Sequence, residues 1–247
     1  MSNLKDYVQD LVKNVISTGF FDKIKISASS NDILIEGMEK DKDVVLKGKF
    51  AKPLTDLTGN FGLSNLSLLS HIISDSEFNS DDSKLEVLYD KTDTTVPNEM
   101  MYENKSKSYI NYRFMSPKLI PDQPKFVEPQ WDVVIKPTKS SIQQFGWAAA
   151  GLSAYEQYFT PSIENGDLKF FIGEAGAANQ RGGVVFASGR TEKFDSQHKW
   201  KISHMQAVLK LADSSDCEMS FSSKGAIQIK VSTGVGEYKF IFPAKVK

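Results

Sequence analysis

The chain has 247 residues, of which 40% are apolar and 25% are charged, with 30 Lys and Arg against 31 Asp and Glu. This composition supports a buried core and excludes a disordered chain, while a net charge of −1 argues against a protein that coats DNA through overall basicity. Cys217 is the single cysteine, which excludes an intrachain disulfide and a cysteine-based zinc site. No apolar run reaches the roughly 18 residues of a membrane span, and charged residues near the start do not fit a signal peptide, so we expect a soluble intracellular protein.

The first half of the chain alternates predicted helices and strands. Six apolar residues at helical spacing, followed by Gly19 as a C-terminal cap, predict an amphipathic helix: Leu4, Val8, Leu11, Val12, Val15 and Ile16. A second stripe predicts a helix through Leu63, Leu66, Leu69, Ile72 and Ile73. Segments rich in Ile, Val and Leu predict strands at 25–28, 32–36, 44–50, 84–89 and 108–114. The polar residues 91–107 are predicted to form a mobile hairpin excursion.

A proline-rich segment separates the two halves. Residues 115–129 hold four prolines, which favour an extended connector because proline cannot donate to a sheet ladder and biases the preceding residue away from helix. We therefore predict two domains, 1–114 and 130–247, joined by a connector at 115–129.

The second half repeats the order of the first. Apolar stripes predict one helix through Ile142, Phe145, Ala149 and Leu152, and another through Ile202, Met205, Val208, Leu209 and Ala212. Strands are predicted at 132–136, 168–172, 184–188, 218–222, 226–232 and 238–242. The repeated order favours an α+β fold built from a duplicated unit, with helices on one face of antiparallel sheets.

Charge is distributed unevenly along this pattern. The four predicted helical windows together carry a formal charge of +5, which leaves −6 for the rest of the chain. If the four helices share a surface, that surface attracts a polyanion. Asp6 and Asp10 fall on the same polar face as Lys13 by helical spacing, which weakens the case for the first helix. Ordinary solvated helix faces would explain the same charges.

No motif for catalysis or metal binding stands out. The three histidines lack the spacing of a metal site, and the glycines of 173–183 lack the Gly-Lys-Ser/Thr ending of a phosphate loop. Trp131, Trp147 and Trp200 could stack on bases in a single-strand binder, but each adjoins a predicted strand or helix, which favours core packing. We therefore predict a protein that is not an enzyme and that needs no metal or cofactor.

The order of elements, the duplicated halves and the length together resemble the DNA polymerase sliding clamps, and among them the processivity clamps of T-even-type bacteriophages. Proliferating cell nuclear antigen is a more distant relative in that comparison. The resemblance covers almost the whole chain, including the Leu-rich segment 62–74, the proline-rich connector and the closing residues 238–244. It implies a duplicated DNA-clamp fold, three subunits closed head to tail into a ring, helices lining the hole and sheets outside.

The resemblance also implies three kinds of site. The DNA-facing residues that best match are Lys13 and Lys210, with His71 and Lys139 next and Lys5 at a flank; contacts are expected with phosphates rather than with base edges. The pocket for partner peptides is expected at Met38, Val45, Leu119, Ile120, Pro121, Phe240, Phe242 and Pro243, although finishing the core would explain Met38 and the Phe residues as well. Subunit contacts are expected along the edge strands 108–114 and 184–188, through Tyr109, Ile110, Tyr112, Val184, Val185 and Phe186.

The implied partners are duplex DNA, a DNA polymerase, a clamp loader and two further copies of the chain, without a membrane. The implied location is the cytoplasm of an infected bacterial host. Two other functions fit the residues: a monomeric DNA-binding polymerase accessory subunit, and an enzyme whose site is assembled from residues that the sequence does not connect.

Overall fold

The computed structural model describes residues 3–54, 57–93, 95–120, 127–173, 180–213 and 215–245. Contacts divide the chain into two compact units, Met1–Lys125 with Thr233–Tyr238, and Phe126–Ser232 with Lys239–Lys247. Each unit contains two helices and two antiparallel groups of strands. The first unit takes six residues from near the end of the chain, a contribution that boundaries drawn at 114 and 130 do not include.

The first unit has two α-helices and seven strands of its own. In chain order these are α1 (Leu4–Asn14), β1 (Lys23–Ala28), β2 (Ile33–Met38), β3 (Val45–Phe50), β4 (Gly59–Ser64), α2 (Leu66–Ser74), β5 (Lys84–Tyr89), β6 (Pro97–Glu103) and β7 (Tyr109–Arg113). Short 3-10 helices follow α1 at Ile16–Thr18 and β7 at Pro117–Leu119.

The first helix forms where its sequence predicts it. Asn3 caps the helix by accepting from the Asp6 N–H (3.0 Å), and the Asp6 carboxylate accepts from the Asn3 N–H (2.8 Å). Gly19 ends the following 3-10 turn at φ 73, a left-handed conformation that glycine adopts without strain. The apolar face of α1 packs with Ile26, Phe50 and Phe61 around a cavity of about 30 Å³.

The sheet of the first unit has the strand order β4-β1-β2-β3. Register places Ile26 directly opposite both Ile35 and Phe61, so these three side chains share the face that meets α1. By the same alternation, Met38, Val45 and Gly62 belong to the opposite face of the sheet. This opposite face is called the outer face below.

Two predictions for the first half are wrong. Residues 91–107 contain β6, the central strand of the sheet β5-β6-β7, in which Met100 and Tyr102 are buried; the polar residues around them hid this period of two. Leu63 belongs to β4 rather than to the second helix, because Asn65 takes a left-handed conformation (φ 53) and separates strand from helix.

The second unit repeats this arrangement. Its elements are β8 (Val133–Ile135), α3 (Lys139–Leu152), β9 (Tyr158–Glu164), β10 (Asp167–Ile172), β11 (Gly182–Ala187), β12 (Trp200–Lys201), α4 (Ile202–Leu209), β13 (Asp216–Ser222), β14 (Ala226–Ser232) and the second half of β15 (Gly236–Pro243). A 3-10 turn at Lys210–Asp213 extends α4. Strands β9 and β12 were not predicted from the sequence, since Pro161 interrupts the first and the second has two residues.

Aromatic side chains fill the core of the second unit. Phe145 of α3 is fully buried and meets Phe159, Phe170 and Phe186 edge to face, with ring centroids 5.3 to 6.2 Å apart. Phe170 also stacks on Phe186 at 4.2 Å. These contacts hold α3 on the sheet β11-β10-β9-β12.

A carboxylate clasps the two ends of the first unit together. The half-buried Asp10 of α1 accepts hydrogen bonds from the Tyr238 hydroxyl (2.6 Å), the Thr233 hydroxyl (3.1 Å) and the Asn14 amide (3.0 Å). Burial raises the pKa of Asp10 against the opposing effects of these bonds and of Lys13, and burial together with Asp10 raises the pKa of Tyr238, which stays a donor.

This clasp predicts a pH-dependent stability. Because the pKa of Asp10 is raised on folding, its stabilising contribution is complete below 3.8, its ordinary value, and is lost as the pH rises through the folded value. We expect the free energy of unfolding of Asp10→Asn to be about 1 kcal/mol lower than that of the wild type at low pH, because one hydrogen bond is mismatched. This difference should shrink as the pH rises. Urea unfolding of both proteins across the acidic range measures this, and a difference that does not change with pH contradicts it.

Candidate functional site

The helices lie in pairs, and their exposed faces carry few charges. In the first unit α1 contacts α2, and in the second α3 contacts α4. Lys13 and His71 are exposed on the first pair; Lys139 on α3 and Lys210, directly after α4, are exposed on the second. Within each unit, the helix pair therefore carries exposed basic residues, and their contact with a polyanion stays a prediction.

The flanking Lys5 is placed differently. It is half-buried, and its ammonium group donates to the Ser80 carbonyl (2.7 Å), the Ser83 carbonyl (3.1 Å) and the Ser83 hydroxyl (2.7 Å). A lysine held by three hydrogen bonds to its own chain must give them up before it can meet a phosphate. Lys5 is therefore better described as a residue that fastens α1 to the turn at 80–83.

The acidic residues of α1 have hydrogen-bond partners of their own, although the charge of Lys13 still acts to lower the pKa of Asp10. Asp6 is engaged in the N-terminal cap, and Asp10 is turned towards Thr233 and Tyr238. The reason is that helical spacing fixes the direction of a side chain only at its base, whereas hydrogen-bond donors beside the helix draw a carboxylate towards them.

Strand β7 forms a free edge of its sheet. Among the described residues, no strand pairs with its outer side. The Phe114 N–H donates to the Asn98 carbonyl (2.8 Å), and bonded pairs alternate in an antiparallel ladder, so even-numbered residues of β7 bond to β6. Three residues therefore turn their backbone N–H and C=O groups to the free side: Tyr109, Asn111 and Arg113.

Strand β11 forms a second free edge, again within the part of the chain that the structure describes. The two-residue turn Asn165–Gly166 (φ 54 and 81) makes Glu164 and Asp167 a hydrogen-bonded pair between β9 and β10. Because bonded pairs alternate, even-numbered residues of β10 bond to β11, and Gly183 and Val185 lie opposite odd-numbered ones. Gly183 and Val185 therefore turn their backbone groups to the free side. Val185 is 40% exposed and Tyr109 is 66% exposed, so each edge also shows an apolar side chain.

Four of the six expected interface residues face inward instead. Tyr112 is buried and its hydroxyl donates to the Ser64 carbonyl, while Phe186 is buried among the aromatic residues of the second unit. Ile110 and Val184 are half-buried on the same faces as these two. Because strands alternate, these side chains hold each edge strand on its own core, and only the backbone between them can reach another strand.

The residues expected to bind peptides fall into three groups. On the outer face of the first unit, Met38 (half-buried) lies opposite Val45 (buried). Met38 is two strands across the sheet from Gly62 of β4, about 10 Å in that direction, and two residues further along the strand. Ile120 covers Gly62 so closely that a Cβ there would clash with its Cδ1, and the neighbouring Leu119 is 63% exposed. The end of the described connector therefore rests on the same sheet face as Met38 and Val45.

The second group is buried. Phe240 and Phe242 are at most 2% exposed and share a strand face with Tyr238, whose hydroxyl reaches α1. They cannot touch a peptide without leaving the core, so a peptide surface drawn through their side chains needs correction. The third group is the two prolines. Pro243 is exposed on the alternate face of the strand, and Pro121 lies outside the described residues.

One exposed residue was missed. Trp147 was expected in the core, but it is 82% exposed on α3. The signal was present in the sequence, because the apolar stripe of Ile142, Phe145 and Ala149 leaves position 147 on the other side of the helix. Of the other two tryptophans, Trp200 is buried and donates to the Phe242 carbonyl (2.9 Å), and Trp131 is half-buried.

Among the described residues, no group of three or more His, Cys, Asp and Glu side chains is arranged to hold a metal ion. Within the same part of the chain, no helix combines the length and apolar character needed to cross a bilayer. Cys217 is buried, and burial raises the pKa of its thiol to about 12, so it is protonated and unreactive.

Sequence comparison finds no matching protein-family model and no matching curated protein. Structure comparison finds proliferating cell nuclear antigen from Thermococcus kodakaraensis, with a TM-score of 0.69 and 12% identity over 96% of this chain and 97% of that one. The same antigen from Entamoeba histolytica gives a TM-score of 0.68 and 14% identity over 98% and 94%. The chain therefore has the duplicated α+β clamp fold of these antigens, and the predicted fold class is confirmed.

Proposed function

We propose that this chain is a DNA sliding clamp, a non-enzymatic processivity factor that closes as three copies around duplex DNA and tethers a polymerase. The observation that carries the proposal is the pair of unlike free edges, β7 in the first unit and β11 in the second, in a chain with the clamp fold over at least 96% of its length. An unpaired edge is a liability in a monomer, and two unlike edges on one chain can pair head to tail and close a ring.

The helix pairs supply the surface for DNA. Lys13, Lys139 and Lys210 are exposed on or beside helices and can neutralise phosphates without reading bases, so the contact is independent of sequence. The few positive charges fit a protein that holds DNA by encircling it and must still slide. Retention then comes from closure of the ring more than from affinity.

The outer face of the first unit supplies a surface for partners. Leu119 and Ile120 end the described connector over β4, and Met38 lies on the same sheet face. A short apolar peptide tail of a polymerase or of a clamp loader is the partner that such a surface fits. The T-even-type phage origin and the cytoplasm of an infected host remain predictions from the sequence.

The proposal is tested by the mass and shape of the protein in solution. We expect a particle near three times 27.6 kDa, about 83 kDa, with a central opening wide enough for duplex DNA. Light scattering gives the mass and small-angle X-ray scattering shows the opening. A stable monomer at micromolar concentration contradicts the ring and favours the monomeric accessory subunit. For a ring, processive synthesis that rises only when a loader is present separates a clamp from an enzyme.

A further inference from the structure

The second unit displays an indole that its own chain leaves in solvent. Trp147 is 82% exposed in the middle of the 14-residue helix α3, whereas tryptophan in folded proteins is on average highly buried. The apolar stripe of α3 is already complete without it, since Phe145, Ala148 and Ala149 are buried. The indole therefore does not serve the core.

The surroundings of the indole leave room for a flat ligand. The residues one turn away on α3 are Gln143 and Gln144 on one side and Ala150 and Gly151 on the other, all exposed. A Cβ added to Gly151 would meet nothing within 4 Å. Because Ala150 and Gly151 are small, they leave a face of the indole ring accessible to another planar group.

The charge around Trp147 favours a polyanion over an acidic or neutral protein surface. Neither α3 nor α4 contains Asp or Glu, while Lys139 and Lys210 are exposed. The helices are neighbours at this point, because a Cβ on Gly146 would lie 4.0 Å from Nε2 of Gln206. The carboxylates nearest in sequence, Glu156 and Asp213, lie beyond the helix ends, and Glu156 accepts from the Tyr158 N–H (3.0 Å).

We propose that Trp147 is a stacking site for an unpaired DNA base, which gives this chain a preference for DNA with a single-stranded segment. An unpaired nucleotide presents a flat π-face beside a phosphate. An exposed indole with amide side chains one turn away, on a helix that begins with an exposed lysine and carries no carboxylate, matches both. This inference rests on the proposed function in placing α3 on the DNA-facing surface. It adds a contact with bases, whereas a clamp that holds duplex by encirclement alone needs none.

Tryptophan fluorescence of the full chain tests the proposal, with oligo(dT) and a duplex of equal phosphate number as probes. Because Trp200 is buried and Trp131 half-buried, Trp147 is the tryptophan most open to a ligand. We expect oligo(dT) to quench the emission and the duplex to quench it less. Trp147→Ala should weaken oligo(dT) binding about tenfold and Trp147→Phe less, measured by anisotropy of labelled DNA. Trp131→Phe is the matched control and should bind as the wild type does.

Each other outcome overturns the stacking site. Equal quenching by duplex and oligo(dT), or unchanged binding by Trp147→Ala, removes base stacking. Burial of Trp147 with rising protein concentration in the absence of DNA makes it a contact between copies. The outcome is separable from that of the proposed function, because an assembly of three chains with an open centre, about 83 kDa, stays a clamp even when oligo(dT) leaves Trp147 unaffected.

Discussion

Two variants that are each unable to close a ring are expected to form a dimer when mixed, and to grow no further. In Asn111→Pro, the edge of β7 loses an outward N–H, and in Val185→Pro the edge of β11 loses one. Neither change removes a backbone hydrogen bond of its own sheet, because both residues point their backbone groups to the free side. Asn111→Pro also removes the exposed hydrogen bond that the Asn111 amide donates to the Glu99 carboxylate (3.1 Å). Of the two edges proposed to pair, each variant keeps one intact, so the intact β11 of the first is expected to pair with the intact β7 of the second.

The loss at each edge is expected to be large. Proline removes a donor and brings its ring against the incoming strand, so we expect the dissociation constant of that contact to rise at least about a hundredfold. Analytical ultracentrifugation of each variant should show monomers, and of the equimolar mixture a species of twice the chain mass. Circular dichroism and thermal unfolding verify that both variants are folded.

Val87→Pro is the matched control for this experiment. Val87 lies on β5, the opposite edge of the same three-stranded sheet, across from Met100, and its backbone groups also point away from β6. It should assemble as the wild type does. Pairing of like edges would give a different result: one proline variant would keep the assembly of the wild type, and mixing would restore nothing.

Reversing the charge of Lys13 and Lys210 together is expected to weaken retention on DNA while leaving assembly intact. In a ring of three this changes six exposed positions, and each lost phosphate contact lowers the slope of log affinity against log salt by about 0.9. We expect Lys13→Glu with Lys210→Glu to shorten the lifetime on linear duplex DNA with free ends, from which a closed ring can slide off, at least about tenfold at low salt. Surface plasmon resonance or single-molecule tracking measures the lifetime across a salt series.

The control pair carries the same change in net charge elsewhere. Lys91 lies after β5 and Lys224 in the turn between β13 and β14, both exposed and outside the helices. Lys91→Glu with Lys224→Glu should behave as the wild type does. Equal losses in both pairs would attribute the effect to net charge, and retention unchanged by the first pair would remove Lys13 and Lys210 from the DNA-facing surface.

Much of the fold could be predicted because local signals and tertiary packing agree. The apolar stripe of α1 predicts its helix, Gly19 ends the 3-10 turn that follows it, and β5 and β14 occur at the predicted residues. Both edge strands chosen from the sequence, 108–114 and 184–188, contain strands that lie at sheet edges. Such sequence patterns predict which element forms and which of its faces is buried.

The misses arise where a local signal conflicts with tertiary structure. Pro161 marks a break in the sequence, yet it lies inside β9. Its missing N–H faces away from β10, on the side where β12 pairs only with Tyr158 and Phe159. Met100 and Tyr102 carry the alternation of a central strand, but the surrounding charged residues make the segment read as a loop.

The candidate sites were less predictable than the fold, because they depend on which way each side chain turns. Lys5 and Lys13 lie on one helix and are both charged, and only the structure separates the one bonded to 80–83 from the one in solvent. The aromatic residues near the chain end suggest a binding surface, whereas the alternation of side chains along β15 places Phe240 and Phe242 in the core. The direction in which each side chain points is set by contact partners that are distant in the sequence.

The clasp between Asp10 and Tyr238 has a consequence for biosynthesis. The residues that it joins are 228 positions apart, and Ala51 pairs with Val235 in the same unit (2.8 Å). The amino-terminal unit, although made first, cannot be finished until almost the entire polypeptide has left the ribosome. Until then the outer edge of β3 waits unpaired, which makes the nascent chain dependent on rapid completion or on a chaperone that shields that edge.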